Sequence, residues 1–151
     1  MVLLLATVAT MTTNRKILCG VYALIALVAL IATWIQNAAY FGEGAGFLKN
    51  FLADLTVTAA ARSITADIVL FFLAAVFFMV YEARRVGVPY VWAYIVGGML
   101  IAISVTFPLF LIARERALAG ADQSGPKRLD LILLGAFAVL AVVQVVAIST
   151  T

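Results

Sequence analysis

The segment from Ile17 to Ile35, ILCGVYALIALVALIATWI, contains no charged side chain. A helix needs about twenty such residues to cross roughly 30 Å of hydrocarbon at about 1.5 Å per residue. Arg15 and Lys16 precede the segment, and Gln36 and Asn37 follow it. The segment therefore predicts a membrane-spanning helix with a basic flank on one side.

The composition of the whole chain agrees with this segment. The 151 residues are 66% hydrophobic and 11% charged, with a mean hydropathy of +1.19. Soluble proteins are about 45–50% apolar and about 25% charged, and a soluble fold of this size could not bury the excess. A soluble enzyme, a nucleic-acid binder and a disordered chain are excluded. The net charge of +3 is typical of the Lys and Arg residues that flank membrane spans.

Four segments are long and apolar enough to cross a membrane, at about residues 17–35, 64–81, 89–113 and 131–148. We therefore predict an all-α integral membrane four-helix bundle, with residues 1–151 forming a single membrane domain. The first ten residues are too short to span, so we expect a loose interfacial tail or an over-extended start. The choice between Met1 and Met11 as the true start remains open.

A short interfacial helix is predicted between spans one and two, at about residues 47–57. The flexible stretch from Gly42 to Gly46 precedes it. The apolar residues that follow are spaced as one face of a helix, whereas the polar ones lie largely elsewhere: Phe47, Leu48, Phe51, Leu52 and Leu55 against Lys49, Asn50 and Asp54. This pattern is typical of a helix that lies along the membrane surface.

The positive charges that flank four spans give no clear orientation. One side would carry four positive residues, Arg15, Lys16, Arg84 and Arg85. The other side would carry six, Lys49, Arg62, Arg114, Arg116, Lys127 and Arg128. Because the first helix usually has the greatest weight, we predict that both termini are cytoplasmic in a multi-pass protein of a bacterial cytoplasmic (inner) membrane.

The residue inventory limits the possible chemistry. The chain has no histidine and one cysteine, Cys19. This composition argues against most zinc sites and the usual haem ligands, and a single cysteine forms neither an internal disulfide nor a Cys-x-x-Cys pair. We predict no metal site, no cofactor and no catalytic residue, with a bound lipid, quinone or pigment as the open alternative.

Asp67 is the one acidic residue that the pattern places inside a span, and such residues are often functional. One interpretation is structural: the partial positive charge of a helix N-terminus stabilises the carboxylate, with Ser63 as the N-cap and Arg62 as an ion-pair partner. The other interpretation is a proton or ligand site.

Glu82, Arg84 and Arg85 lie at the opposite end of the same predicted span. They fit a solvated turn that fixes orientation. They also fit a lipid-headgroup or partner contact, because arginine binds phosphate and carboxylate through two parallel hydrogen bonds. Asp67 and Glu82 would be about 22 Å apart along a helix, so they cannot form one acid–base pair.

The third predicted span contains a proline and a pair of glycines. Pro108 lacks an N–H and is expected to kink the helix. Gly97 and Gly98 give small-residue faces that favour close helix packing. Packing within the bundle and an oligomer contact are both compatible with these residues.

The order of motifs resembles a small bacterial membrane-protein family catalogued only as a domain of unknown function. The resemblance rests on three runs: Ser63-x-x-x-Asp67, Glu82-x-Arg84-Arg85-x-Gly87 and Phe107-Pro108-x-Phe110-Leu111-x-x-Arg114-Glu115. Trp34 and Asn37, at the end of the first span, also resemble that family. The resemblance covers about residues 14–118 and implies a bacterial helical membrane protein without an assigned activity. Members typically have one span fewer, so the last helix is a departure.

Two functions fit these observations. The first is a non-enzymatic accessory or stabilising subunit of a larger cytoplasmic-membrane complex or homo-oligomer, surrounded by membrane lipids and not binding nucleic acid. The second is binding or conversion of a lipid-like molecule, such as an isoprenoid, quinone or pigment, in a cavity opened at Pro108. The candidate contact residues are Asp67, Glu82, Arg84, Arg85, Arg114, Trp34 and Asn37. The residues do not decide whether the protein is an enzyme, and they favour a non-enzymatic role.

Overall fold

A computed structural model describes residues 11–119 and 128–149 of the chain. These ranges contain helices and no strand, which confirms the predicted all-α class. The α-helices are α1 (Thr13–Asn37), α2 (Phe47–Asp54), α3 (Ala59–Val86), α4 (Val91–Gly97), α5 (Ile103–Ala117) and α6 (Arg128–Ser149). A 3₁₀ segment, Ala38–Gly46, joins α1 to α2, and a π-helical turn, Gly98–Ala102, joins α4 to α5.

Among the described residues, three helical segments are long and apolar enough to cross a membrane: Thr13–Asp54, Ala59–Val86 and Val91–Ala117. Their surfaces are largely apolar and exposed, which fits contact with lipid rather than water. The protein is therefore a helical membrane protein. In α6, a shorter apolar stretch, Ile132–Gln144, lies within the predicted fourth span.

The start of α3 differs from the sequence-based prediction. Thr58 is the N-cap, and its hydroxyl accepts a hydrogen bond of 3.0 Å from the backbone N–H of Ala61. The assignment of Ser63 as N-cap is therefore wrong, because the helix begins more than one turn earlier. The expected pairing of Arg62 with Asp67 is not what the structure shows, since Arg62 donates to the carbonyl of Thr56 at 2.7 Å.

The end of α3 follows a well-known termination pattern. Gly87 adopts a left-handed conformation, with φ 78°, that residues with a side chain rarely reach. The N–H groups of Gly87 and Val88 both donate to the carbonyl of Ala83, at 2.9 and 3.0 Å. Val88 is buried, so the chain turns back onto α3 directly after this helix ends.

The connection between α1 and α3 is itself helical and organised by aromatic side chains. A helix is present at the predicted position, although α2 ends at Asp54. Neighbouring rings lie 5.6 to 6.3 Å apart between centroids, within the group Trp34, Tyr40, Phe41, Phe47 and Phe51. The hydroxyl of Tyr40 also donates to Asp54 at 2.7 Å. Its location in the membrane interface stays a prediction.

The third apolar segment is a helical hairpin rather than one straight helix. The ring centroids of Tyr94 in α4 and Phe110 in α5 are 5.8 Å apart, whereas a straight helix would separate these residues by about 24 Å. The chain therefore reverses between them. The reversal lies in the π-helical turn, where Ala102 has an extended backbone, with φ 179° and ψ 142°.

The packing of α5 against α1 and α3 shows which helix ends lie together. Residues of α5 and α3 pair in the same order along both helices, so these helices run parallel: Phe71 with Phe107, Phe78 with Phe110 and Glu82 with Arg114. Helix α1 packs antiparallel to α5, since Arg15 contacts Glu115. The start of α1 and the ends of α3 and α5 thus share one end of the bundle, which we call the basic end.

This arrangement corrects the assignment of charges to the two sides. Arg114 contacts Glu82 and lies two residues before Arg116, so both arginines belong to the basic end. Grouping Arg114 and Arg116 with Lys49 and Arg62 was wrong, because it assumed a third helix that continues across the membrane. Lys127 lies outside the described residues.

We expect the tip of the hairpin to lie near half the depth of a bilayer. A Cβ atom on Gly98 would lie 2.9 Å from Cε2 of Phe72 in α3, which fixes the level of the tip. Phe72 is about 14 Å along α3 from Tyr81, and Tyr81 is an exposed aromatic residue typical of the membrane interface. Half the hydrocarbon thickness is about 15 Å.

The hydrophobic core lies where the short hairpin packs against α3. Met79 and Phe110 are fully buried at its centre, packed with Ala83, Val88, Val91 and Ile95. All buried residues of α3 lie from Ala75 onward. The preceding part, Ala59–Phe71, contains no buried residue, and we call it the outer half of α3. Helices α1 and α3 scarcely contact each other directly.

Candidate functional site

Five charged side chains form a continuous ion-pair network at the basic end. Arg15 of α1 donates to Glu115 of α5 at 2.7 Å, and Arg114 donates to the other oxygen of Glu115 at 2.7 Å. Arg114 also donates through Nε to Glu82 of α3. Arg85 completes the chain with two hydrogen bonds of 2.7 Å to Glu82. The network ties three helices together.

Most of this network is removed from solvent. Glu115 and Arg15 expose 5% and 8% of their side chains, and Glu82 exposes 8%. Burying ions is costly unless each charge is paired and hydrogen-bonded. Each glutamate accepts from two arginines, so both carboxylates are neutralised. Loss of Glu115 would remove the carboxylate that Arg15 and Arg114 share.

Local helix geometry presents these groups to one another. Glu82 and Arg85 are three residues apart on α3 and therefore lie on the same face. Arg114 and Glu115 are adjacent on α5 and point in different directions, so α5 contacts α3 through the first and α1 through the second. The antiparallel packing of α1 and α5 brings Arg15 into reach.

The structure unites part of the predicted site and adds two residues. Glu82, Arg85 and Arg114 come together, whereas Arg84 is exposed beside them. Arg15 and Glu115 were missed. They are one hundred positions apart, and the only available signal was their location at the ends of apolar segments.

Asp67 lies apart from this network. It is exposed on the outer half of α3, about 22 Å along the helix from Glu82. The neighbouring residues of this helix are apolar and also exposed, including Ile64, Ile68 and Leu70. A carboxylate in such surroundings is costly within hydrocarbon unless a donor reaches it.

Trp34 and Asn37 belong to the opposite end of the bundle. The centroid of the Trp34 indole ring lies 6.0 Å from the centroid of the Phe41 phenyl ring. The Nε1 atom of Trp34 is buried and has no hydrogen-bond partner among the described residues. Asn37 is the last residue of α1 and is half-buried. Neither residue joins Asp67 or the ion-pair network in a single site.

Gly97 and Gly98 allow the hairpin to close. A Cβ atom on Gly97 would lie 3.1 Å from Cγ2 of Thr106, and one on Gly98 would lie 3.0 Å from Oγ1 of the same residue. Pro108 is buried within α5, which continues to Ala117. The change of direction falls at the turn before α5 rather than at Pro108.

The space near Pro108 is occupied by side chains. Phe107 contacts Phe71 and Phe78, and Phe110 contacts Phe78 and Tyr94, with ring centroids 5.8 to 6.5 Å apart. These aromatic contacts occupy the region where the sequence suggested a cavity. Among the described residues, no group of three or more His, Cys, Asp or Glu side chains could hold a metal ion.

The chain matches the family model of a protein of unknown function, DUF2834, over residues 21–116. This chain belongs to the DUF2834 family. No curated protein and no solved structure matches it significantly. The family match agrees with the resemblance predicted from the motifs.

The DUF2834 match includes most of the ion-pair network and all of the hairpin. Glu82, Arg85, Arg114 and Glu115 lie within it, whereas Arg15 precedes it. Helix α6 lies after the matched region. The fourth apolar segment therefore lies outside the residues that match the DUF2834 family.

Proposed function

We propose that this protein is a small non-enzymatic subunit that stabilises a larger complex in a bacterial cytoplasmic membrane. The observation that carries the proposal is the outer half of α3, residues 59–71, which contains Asp67 and no buried residue. An apolar helix face alone can contact lipid, but a carboxylate within that face favours a protein partner.

The short hairpin explains why this face is open. Helices α4 and α5 turn back at the level of Phe72, so they cover α3 only toward the basic end. An ionisable residue at membrane depth usually faces other protein or water and pairs with a donor. A membrane helix that brings a hydrogen-bond donor to the level of Asp67 would satisfy the carboxylate. That helix belongs to another subunit or to a second copy.

The pairing of the buried acids that the structure describes supports a non-enzymatic role. Glu82 and Glu115 are the buried acids of the described residues, and two arginines hold each of them. These pairs suit a fixed connection between helices. They do not suit a group that gains and loses a proton during catalysis.

A photo-crosslinking experiment tests this interface. A photoreactive amino acid is placed at Ile68, which is 51% exposed on the outer half of α3, or at Phe77, which is 59% exposed farther along the same helix. We expect a specific protein adduct from Ile68 and mainly lipid adducts from Phe77. Lipid adducts alone at both positions, with a single chain in native mass spectrometry, would contradict the proposal.

A second candidate is the binding of a lipid-like molecule, such as an isoprenoid, quinone or pigment. The observation that favours it is that α1 and α3 scarcely contact each other. Asp67 lies in the part of α3 that extends beyond the tip of the hairpin. A discrete lipid that copurifies with the wild type and is lost in Asp67→Asn would support this function. Equal occupancy in both proteins would remove Asp67 from it.

We further propose that the basic end faces the cytoplasm. Lys16, Arg84, Arg85 and Arg116 are exposed at this end, and positive residues near span ends favour the cytoplasmic side. Lys49 and Arg62 lie in and after the α1–α3 connection, on the opposite side.

The hairpin also changes the side of the membrane on which we expect α6 to begin. Helix α6 follows a stretch with Asp122 and Lys127, which are unfavourable in hydrocarbon, so we propose that α6 begins on the cytoplasmic side. If α6 spans, its end is periplasmic, in contrast to the prediction of two cytoplasmic termini. Alkaline phosphatase fused after Thr151 should be active in intact cells. Inactivity there, with fluorescence from a green fluorescent protein fusion at the same site, would contradict this topology.

A further inference from the structure

The exposed charged side chains that the structure describes at the basic end are of one sign. Lys16, Arg84, Arg85 and Arg116 are exposed there, and the side chain of Arg85 is 66% accessible. The acidic side chains that the structure describes at this end, Glu82 and Glu115, are buried. The described helices α1, α3 and α5 therefore present cations at this end and bury their acidic side chains there.

The ion-pair network produces this separation of charge. Arg114 and Arg15 occupy the carboxylate oxygens of Glu115, and Arg114 and Arg85 occupy those of Glu82. The acids are thus neutralised below the surface. Lys16 and Arg84 take no part in these pairs and project from the same helices.

The depth of this surface matches that of phospholipid headgroups. Exposed aromatic residues lie beside the cations at the ends of α3 and α4: Tyr81 at 75%, Tyr90 at 83% and Trp92 at 57%. Such residues prefer the level of the headgroups. A cation on the same turn lies within reach of lipid phosphate, which arginine can bind through two hydrogen bonds.

We infer that the basic end is a binding surface for anionic phospholipid headgroups, in which Lys16, Arg84, Arg85 and Arg116 contact the phosphates. The buried network holds three helices together, so that these cations lie at the same end of the bundle. This surface is separate from the partner interface on the outer half of α3, because the two lie at opposite ends of that helix.

A matched pair of double variants tests this surface. Lys16→Gln/Arg84→Gln removes one lysine and one arginine from the basic end, and Lys49→Gln/Arg62→Gln removes the same residue types from the opposite end. All four residues are exposed. The full chain is titrated with phosphatidylglycerol or phosphatidylcholine in native mass spectrometry, and circular dichroism checks that each variant is folded.

We expect the wild type to prefer phosphatidylglycerol. The basic-end variant should bind it about 25-fold more weakly, since each cation near a membrane surface contributes about fivefold. The opposite-end variant should change by less than about twofold, because its charges lie beyond the screening length of the site. Equal loss in both variants, or no preference in the wild type, would overturn the inference. If Lys16→Gln/Arg84→Gln does not fold, Arg116→Gln provides the same comparison against Arg62→Gln.

Discussion

The ion pair between Arg15 and Glu115 makes a direct stability prediction. Glu115→Gln keeps the size of the side chain and removes its charge, which leaves Arg15 and Arg114 facing a neutral amide. Arg15 is 7% exposed and Glu115 is 4% exposed. Breaking a buried pair by removing one partner costs about 3–5 kcal/mol.

The position of the network sets the expected cost at the lower end of that range. The side chain of Arg114 is 18% exposed, so water can partly replace its lost partner. We expect Glu115→Gln to lower the free energy of unfolding by about 3 kcal/mol. For a chain of this size, that corresponds to a decrease in Tm of about 6–12 °C.

A double-mutant cycle in one detergent separates the pair from general effects. Thermal unfolding is followed by circular dichroism for Arg15→Gln, Glu115→Gln and the double variant. Lys16→Gln, which changes an exposed residue, is the control. The control should change stability by less than about 0.5 kcal/mol. The double variant should cost less than the sum of the single variants by about 1–3 kcal/mol. Additive effects, or a Glu115→Gln Tm equal to that of the control, would refute the proposed coupling between α1 and α5.

Other substitutions test the hairpin and the start of α3. Gly98→Ala places a Cβ atom 2.9 Å from the ring of Phe72, and we expect a loss of about 1–3 kcal/mol in thermal unfolding. Gly20→Ala, whose Cβ meets nothing within 4 Å, should be neutral or stabilising by up to about 1 kcal/mol; equal destabilisation in both variants would count against close packing at the tip. Thr58→Ala removes the N-cap hydrogen bond and should cost about 1 kcal/mol, whereas Ser63→Ala should have little effect. The reverse order of these two costs would favour the later helix start.

The sequence was sufficient to predict the membrane class and the apolar helices. Long uncharged runs such as Ile17–Ile35 have few other stable states in a membrane protein. The boundaries were less accurate because helices extend beyond the hydrocarbon. Thr58, five residues before Ser63, is also a favourable cap, although serine is the better one by residue type, and the backbone geometry shows that Thr58 is the cap.

The hairpin could not be predicted from hydropathy. Two short apolar helices joined by an apolar turn have the same mean hydropathy as one long helix. The turn Gly98–Ala102 contains no charge or proline, and the turn signal that begins it, the pair Gly97-Gly98, fits close packing of a straight helix equally well. Gly97 and Gly98 were predicted as packing residues of a straight helix, whereas Thr106 is close to them only because the chain reverses.

The candidate site was predictable only where its residues are near in sequence. Glu82 and Arg85 share a helix face, and their pairing follows from spacing. The contact between Arg15 and Glu115 depends on the antiparallel packing of α1 and α5, which no local pattern encodes. Asp67 was identified as unusual from the sequence, and its exposure on an uncovered helix became visible only with the structure.

Cysteine accessibility tests the hairpin most directly. In a Cys19→Ser background, single cysteines replace Arg84, Arg116 and Lys49, and a membrane-impermeant maleimide is applied to intact spheroplasts and to inverted membrane vesicles. We expect positions 84 and 116 to be labelled in the same preparation and position 49 to be labelled in the other. Labelling of position 116 together with position 49, and apart from position 84, would show a continuous third span and contradict the hairpin.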